Sequence, residues 1–301
     1  RDALLVGAAA LLLSGLVSWL FARHLRRPVR QLVEGTGALA AGRMSTRLDA
    51  DRHDEFGLIA GHFNQMAGHL ERQERVRREW LASTSHELRT PLTVLRALIE
   101  ALQEGIRQGD PATLQRLHDQ VMALSRLVDD LYQLAQHDAG NARLELQTLH
   151  PRSLLDDVLD AQRQRLAQAG ITVSVSDDTA NATLQGDPQR LAQLLHNLVE
   201  NTLRYTDAPG RLHVALSVQQ QRRSARVWRA EFDDSAPGVS VDALPRLFDR
   251  FYRGEASRSR ATGGSGLGLA ICRAIVEAHG GRIEAQPSAL GGLRITITLP
   301  A

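Results

Sequence analysis

Hydrophobic positions change texture several times along the chain. Residues 3–22, ALLVGAAALLLSGLVSWLFA, form one uncharged run. As a helix rising about 1.5 Å per residue it spans roughly 30 Å, the hydrocarbon thickness of a bilayer. RHLRR, from Arg23 to Arg27, follows at once, and Trp19 and Phe21 stand where interfacial aromatics belong. The pattern predicts a transmembrane helix over 1–22, embedded in an inner (cytoplasmic) membrane with residues 23–301 cytoplasmic by the positive-inside rule. A secretory signal has a shorter apolar region behind a basic segment, and a buried core helix would leave the flanking arginines no polar exit.

Narrower stripes come next. From Pro28 the apolar positions step through Val29, Leu32, Thr36 and Leu39, until Gly42 breaks the pattern and RMSTRLDADRHDE reads as a connector. A second seam holds Phe56, Ile59, Phe63, Met66 and Leu70. A third runs through Leu88, Leu92, Leu95, Ile99, Leu102 and Ile106. After the turn RQGDPAT, with Asp110 as N-cap and Pro111 at the first helical position, a fourth holds Leu114, Leu117, Val121, Leu124, Val128 and Leu131. Each helix buries only a narrow stripe and needs partners, so periodicity predicts a homodimer. The expected architecture is a four-helix coiled coil over 23–76 and a dimeric helical-hairpin bundle over 77–147. The first of these resembles a HAMP relay, with Pro28 at the head of its first helix and Asp54-Glu55 opening its second.

Beyond residue 148 the texture changes again. An amphipathic helix with Leu154, Leu155, Val158 and Leu159 leads to the strand-like ITVSV. GDPQRLAQLLHNLVENTLRYT reads as a helix capped by Asp187, while LHVALSV, RVWRAEF, GRIEA and LRITITL alternate as strands. Residues 148–301 are therefore expected to be a separate α+β sandwich. The whole chain reads as a multidomain, membrane-embedded protein.

Composition adds exclusions. Thirty-six basic against 34 acidic residues give a formal charge of +2, so no direct nucleic-acid partner is called for. One cysteine, Cys272, rules out an internal disulfide framework and reads as a small buried residue on a helix.

Candidate chemistry begins at LASTSHELRTPLTVL, residues 81–95. In the frame of Leu88 and Leu92 the preceding core positions are Leu81 and Ser85, which puts His86 just off the seam, toward solvent. A neutral imidazole keeps one nitrogen lone pair free, and a carboxylate bonded to its other nitrogen raises nucleophilicity. Glu87 is placed for that role. Pro91 deprives the Glu87 carbonyl of its partner and bends the helix one turn past His86; the other reading makes it a helix start with Thr90 as N-cap. STSHELRTPL resembles the phosphoacceptor box of sensor histidine kinases. The resemblance implies that His86 accepts the γ-phosphoryl group of ATP, that Glu87 is the general base, and that Thr90 orients water for dephosphorylating a partner regulator.

In HNLVENTLRYT, Asn197 and Asn201 are four apart on one helix face, and two amide oxygens suit Mg²⁺. Glu200 neighbours that face less directly; Arg204 and Tyr205 offer a cation and a flat ring. DDSAPGV ends a strand at Asp234, a candidate acceptor for the exocyclic amine of adenine, and carries Gly238. LPRLFDRFYRG supplies Phe248, Phe251 and Tyr252. Gly263, Gly264, Gly266 and Gly268, with a helix from Leu267, let backbone N–H groups approach phosphates; Arg253 and Arg258 lie in the loop before them. No G-K-[ST] is present, which excludes a P-loop. In this order the four segments resemble the N, G1, F and G2 boxes of the Bergerat-type ATPase fold. That resemblance implies Asp234 for adenine, Asn197 and Asn201 for Mg²⁺, and the glycines with Arg253, Arg258 and Tyr205 for the nucleotide and its lid. The family's D-x-G-x-G is here DSAPG, and alanine at position 236 would cost about 1 kcal/mol if that residue needs positive φ.

The sequence thus reads as an ATP- and Mg²⁺-dependent protein-histidine kinase that passes its phosphoryl group to the receiver domain of a response regulator. Three rivals stay open: a Bergerat ATPase working as a conformational machine, a HAMP scaffold with a degenerate ATP domain, and a sensor dominated by phosphatase activity.

Overall fold

A computed structural model of the protein describes residues 2–139, 143–179, 182–220, 226–254 and 265–300, with side chains described except at 3, 4, 6, 8 and 9. The chain divides into two compact units, 1–84 and 85–301.

In the first unit, α1 (Asp2–Ala40) runs unbroken through the apolar stretch, the arginines and Pro28. Leu11, Leu12, Leu13, Leu16, Val17 and Leu20 are all exposed on it. Among the described residues no helix is long and apolar enough to cross a membrane. Six positions of the expected span lie outside the described side chains.

The connector then returns to α2 (Glu55–Gln103). Asp54 caps that helix, its Oδ1 accepting the Gly57 N–H at 3.1 Å, and Arg52 pairs with the same carboxylate. The guanidinium holds Asp54 at a pKa of about 2. Asn64 clamps the connector from both sides: its Oδ1 accepts the Leu48 N–H and its Nδ2 donates to the Leu48 carbonyl, each at 2.8 Å. Leu39, Phe63 and Ala67 form the small core, with Leu32, Met44, Leu48 and Leu70 against it. Val29, Ile59 and Met66 of the two seams stay exposed, and Phe56 is half-buried.

The second unit begins on α2, which continues through Pro91 to Gln103. Pro91 is therefore inside a helix, and the reading of Thr90 as an N-cap is overturned: the Thr90 hydroxyl instead donates to the His86 carbonyl at 3.3 Å. Helix α3 (Pro111–Asp138) starts as the sequence says, with Asp110 accepting the Thr113 N–H at 2.7 Å. Leu92, Ile99, Leu114, Val121 and Val128 are exposed. Leu127 and Leu134, outside the expected seam, are buried in the core of the layered fold that follows.

That fold is a two-layer α+β arrangement. Strands β2 (Ile171–Asp178), β4 (Gly210–Gln220), β5 (Arg226–Ser235), β6 (Arg282–Pro287) and β7 (Gly291–Pro300) form one sheet in the order β2-β4-β5-β7-β6. Only β2 and β4 pair in parallel. Two short strands, β1 (Gln147–Leu149) and β3 (Leu184–Gly186), pair separately. Leu212, Val214 and Leu216, then Trp228, Ala230 and Phe232, point alternately inward. They meet α4 (Pro151–Gln168), α5 (Pro188–Tyr205) and α6 (Gly268–Ala278) in one core that includes Leu155, Leu198 and Ile271. Cys272 is fully buried there, and burial pushes its thiol pKa up.

One polar knot ties this core to the chain entering it. The Asp187 side chain caps α5, accepting from the Gln189 and Arg190 N–H groups, and also accepts the Glu145 N–H at 3.1 Å. The Asp187 N–H donates to His279 Nε2 at 3.0 Å, while His279 Nδ1 lies 2.7 Å from the Ile275 carbonyl. The ring must then carry its proton on Nδ1. His279→Ala strands the Asp187 N–H, while the Ile275 carbonyl keeps the backbone N–H of residue 279, and should lower unfolding free energy by about 1–3 kcal/mol. The exposed His118→Ala should change it by less than about 0.5 kcal/mol. Equal urea midpoints for the two variants would refute the role given to His279.

Candidate active site

Helix α5 supplies the first wall. Leu191, Leu194, Leu195, Leu198, Val199 and Thr202 are buried on one side, so Asn197, Asn201, Arg204 and Tyr205 remain on the other and line a cavity of about 1430 Å³. The Asn197 Nδ2 donates to the Gly268 carbonyl at 3.4 Å, which leaves its oxygen as the end able to serve a cation. Glu200 is committed elsewhere. It accepts two bonds from Arg165 of α4, at 2.8 and 3.2 Å, and one from Arg204 at 3.4 Å. Burial pushes against its ionisation, but the Arg165 bond and charge win and hold its pKa below the usual range. Two amide oxygens alone make a sparse metal site, which fits Mg²⁺ drawing its remaining ligands from phosphates and water.

The sheet supplies the second wall. The β5–β7 ladder shifts register between Asp233 and Ser235, and in that irregularity the two neighbouring acids part company. Asp233 pairs with Arg294, at 2.8 and 3.0 Å, and accepts the Ser288 hydroxyl at 2.8 Å. Asp234 lines the cavity, where its Oδ1 accepts the Leu293 N–H at 2.6 Å. Burial, with the Asp233 charge adding to it, pushes the Asp234 pKa up to about 6 against that hydrogen bond. Gly292 permits the approach, since a Cβ there would sit 2.3 Å from Asp234 Oδ1. Gly238 lies on the same wall. Alanine at 236 carries no backbone penalty: Phe251, at φ 59°, is the only non-glycine among the described residues with positive φ. The cost attached to Ala236 in the sequence therefore does not arise.

Phe251 marks a clasp. Its N–H donates to the Gly266 carbonyl at 3.0 Å. Gly266 itself has φ 71°, and a Cβ on it would come within 2.8 Å of the Phe251 backbone. This contact joins the segment carrying Tyr252 and Arg253 to the start of α6, and all of Tyr252, Arg253, Gly266 and Gly268 line the cavity. Leu267 does not line it, because its side chain is fully buried in the core. Arg258, Gly263 and Gly264 lie outside the described residues.

The third wall comes from the hairpin. Glu87, Thr90 and Pro91 of α2 and Gln120, Arg126, Asp129 and Asp130 of α3 line the same cavity. Gln193 of α5 donates to Gln133 of α3 at 2.8 Å, and Arg250 pairs with Asp138. His86 is exposed and does not line the cavity. No hydrogen bond joins it to Glu87 among the described residues, as expected of side chains adjacent along a helix. Asp130 is pushed up to about 6 by burial and by Asp129, with Arg126 opposing. Arg165, Asp130 and Gly292 were not singled out from sequence. Arg165 and Gly292 meet Glu200 and Asp234, 35 or more residues away, and the burial that perturbs Asp130 leaves no local pattern.

Comparison with known proteins gives a consistent picture. The domain family described as histidine kinase-, DNA gyrase B-, and HSP90-like ATPase matches residues 186–301, the His Kinase A (phospho-acceptor) domain 76–140, and the HAMP domain 20–72. The chain is 48% identical to the signal transduction histidine-protein kinase BaeS of Escherichia coli K12, over 98% of this chain and 62% of that protein. It is 33% identical to the sensor histidine kinase CpxA of the same organism, over 100% of this chain and 64% of CpxA. The chain thus spans less than two thirds of these relatives. Among solved structures, the Acinetobacter baumannii histidine kinase AdeS superposes with a TM-score of 0.59 at 28% identity, over 71% of this chain and 97% of AdeS.

Two outcomes test this geometry. An acid whose native pKa is raised binds a proton that the unfolded chain releases between about pH 4 and 6, so it costs stability as pH rises through that window. Asp234→Asn should remove that cost, and its unfolding free energy should fall less between pH 4 and 7 than the wild type's; parallel curves would contradict the burial argument. Gly266→Ala should weaken nucleotide binding at least tenfold through the lost clasp, read by fluorescence titration, and an unchanged Kd would remove the clasp from the site.

Proposed function

Because this chain belongs to the sensor histidine kinases and is BaeS-like, we propose that it transfers the γ-phosphoryl group of ATP to His86 and then to an aspartate on a response regulator receiver domain. The observation that carries the reading is the shared cavity: one space is walled by Glu87, Thr90 and Pro91 beside the histidine and by Asn197, Asn201 and Asp234 on the nucleotide side.

The adenine amine donates to Asp234, whose second oxygen is not taken by Leu293. Tyr205, Arg204 and Arg253 face the sugar and phosphates, and Gly266 and Gly268 bring backbone N–H groups to them at the head of α6. When bound, Mg²⁺ neutralises charge on the transferring phosphoryl group, with Asn197 and Asn201 as its protein ligands. A nitrogen of His86 attacks the γ-phosphorus, the bond to the bridging oxygen breaks, and ADP departs. Glu87 takes the proton leaving the ring. The second transfer forms an aspartyl phosphate on the regulator and restores His86. Thr90 serves the reverse regulation by orienting water toward that phosphoaspartate.

His86 is solvent-exposed and outside the cavity walls, so the ATPase layer and α2 must shift relative to each other before attack. Pro91 gives α2 a place to yield, one turn beyond the histidine. The proposed organisation is a membrane span over 1–22, a HAMP relay over 23–76, the phosphotransfer hairpin over 77–147 and the catalytic domain over 148–301. An inner-membrane location, with 23–301 cytoplasmic, is supported by exposed leucines along α1 that meet nothing in the first unit's core. Homodimerisation is supported by the unpartnered seam residues Leu92, Ile99, Val121 and Val128.

Incubation with ATP labelled at its γ-phosphate should give an acid-labile, alkali-stable label on the wild type and none on His86→Gln. Glu87→Gln should retain binding but lose roughly 10²–10⁴ in rate. In Asp234→Asn the amide oxygen takes the Leu293 N–H and the NH₂ faces the adenine amine, so ATP affinity should fall about a hundredfold. Label persisting on His86→Gln would overturn the mechanism.

A further inference from the structure

Four arginines follow the apolar stretch of α1 with helical spacing. Arg23, Arg26, Arg27 and Arg30 occupy i, i+3, i+4 and i+7, hence one face. All four are exposed. Leu25, Pro28, Leu32, Gly35 and Leu39 lie roughly half a turn around the same helix, and each is half-buried or buried. The packed side and the basic side of α1 are therefore opposite. His24 turns toward the connector instead, with its Nε2 3.0 Å from the Arg52 guanidinium and 3.9 Å from Asp54.

Basic side chains on a protein surface normally find acids. Arg30 does, donating to Glu34 at 2.7 Å. Arg23, Arg26 and Arg27 meet no carboxylate among the described residues, and Arg23 lies over the Trp19 ring at 5.4 Å from its centroid. A guanidinium stacked on an indole, directly after an exposed apolar run, occupies the depth of lipid headgroups if that run is embedded.

We propose that this arginine face is a binding surface for anionic phospholipid headgroups of the cytoplasmic leaflet. The proposal rests on the membrane reading of residues 1–22. Each guanidinium presents a planar fork of donors that matches a phosphate, and four on one face make a multivalent contact where a single arginine would be screened. Lipid is the occupant chosen over soluble phosphate, because the face continues the apolar run along one helix and lies opposite its packed side. Headgroups held there would grip α1 at Pro28, immediately before the residues that pack on the connector, so leaflet charge would bias the position from which the relay starts.

The three tryptophans, Trp19, Trp80 and Trp228, allow a direct test. The full chain, with Trp80→Phe and Trp228→Phe so that only Trp19 emits, is placed in phosphatidylcholine nanodiscs containing phosphatidylglycerol. One lipid or the other carries bromine on its acyl chains. Brominated phosphatidylglycerol should quench Trp19 about fivefold more effectively per mole than brominated phosphatidylcholine. The preference should vanish in Arg23→Gln/Arg26→Gln/Arg27→Gln/Arg30→Gln, persist in the corresponding lysine variant, and shrink in 1 M salt, where screening reaches to about 3 Å. Equal quenching by the two lipids in the wild type overturns the lipid face while leaving the span intact. Quenching by neither overturns the span and the lipid face together. A preference that survives the glutamine variant, or that millimolar inorganic phosphate abolishes, also defeats the proposal.

Discussion

Helix α5 has to keep one face dry and the other wet, and the site exists because it can do both. Its inner positions, from Leu191 to Thr202, are locked against the sheet and α6. The outer positions cannot turn inward without driving Asn197, Asn201 and Arg204 into hydrocarbon, where unpaired polar groups cost several kcal/mol. The cavity wall is thus held by hydrophobic burial behind it rather than by contacts within it. The polar bonds that do occur within it refine direction: Gly268 takes the Asn197 amide nitrogen, and Glu200 gathers Arg165 and Arg204. Asp187 completes the arrangement by capping the helix and tying it to Glu145 and His279.

The two acids at the end of β5 follow the same logic in opposite directions. Asp233 spends its charge on Arg294 and Ser288 and is structural. Asp234, one residue on and on the far side of the pleat, gets a single backbone donor and a raised pKa. Leaving a buried carboxylate short of donors is costly, and the cost is recovered only when a ligand brings its own N–H. In an adenine nucleotide that donor is the exocyclic amine. The Phe251–Gly266 clasp is a second stored constraint, since a bulky residue at positive φ persists only where surroundings enforce it.

Much of this was legible in the sequence because its signals are local. The five long strands announced themselves by alternation, Asp110 and Asp187 by the proline after each, and Gly266, Gly268 and the two asparagines by spacing. What was not legible is non-local. The strands β1 and β3 are three residues each, too short for any period to show. Phe251 gives no hint of its backbone, because its left-handed turn is imposed by Gly266 fifteen residues later. Ala236 was expected to strain a glycine position, yet its φ is ordinary. Heptad spacing assigned Leu117, Leu124 and Leu131 to a hairpin seam but could not foresee that Leu127 and Leu134 would be buried in the ATPase core.

That last difference bears on how the molecule works. Helix α3 presents apolar groups on more than one side: Leu127 and Leu134 are satisfied by the ATPase layer, while Val121 and Val128 are not satisfied at all in a single chain. A helix held on one side by its own catalytic layer and on another by the proposed second copy is shared between two sets of contacts. Beyond the burial of Leu127 and Leu134, the layer's grip among the described residues rests on a few polar contacts, Gln193 to Gln133, Arg250 to Asp138 and His137 to Glu277. Such bonds contribute about 1 kcal/mol each, small enough to be exchanged. The seam between copies, being continuous hydrocarbon, is the contact that would persist. The movement that the proposed transfer to His86 requires would therefore be the layered fold sliding on a hairpin that stays paired with the proposed second copy, with Pro91 absorbing the bend.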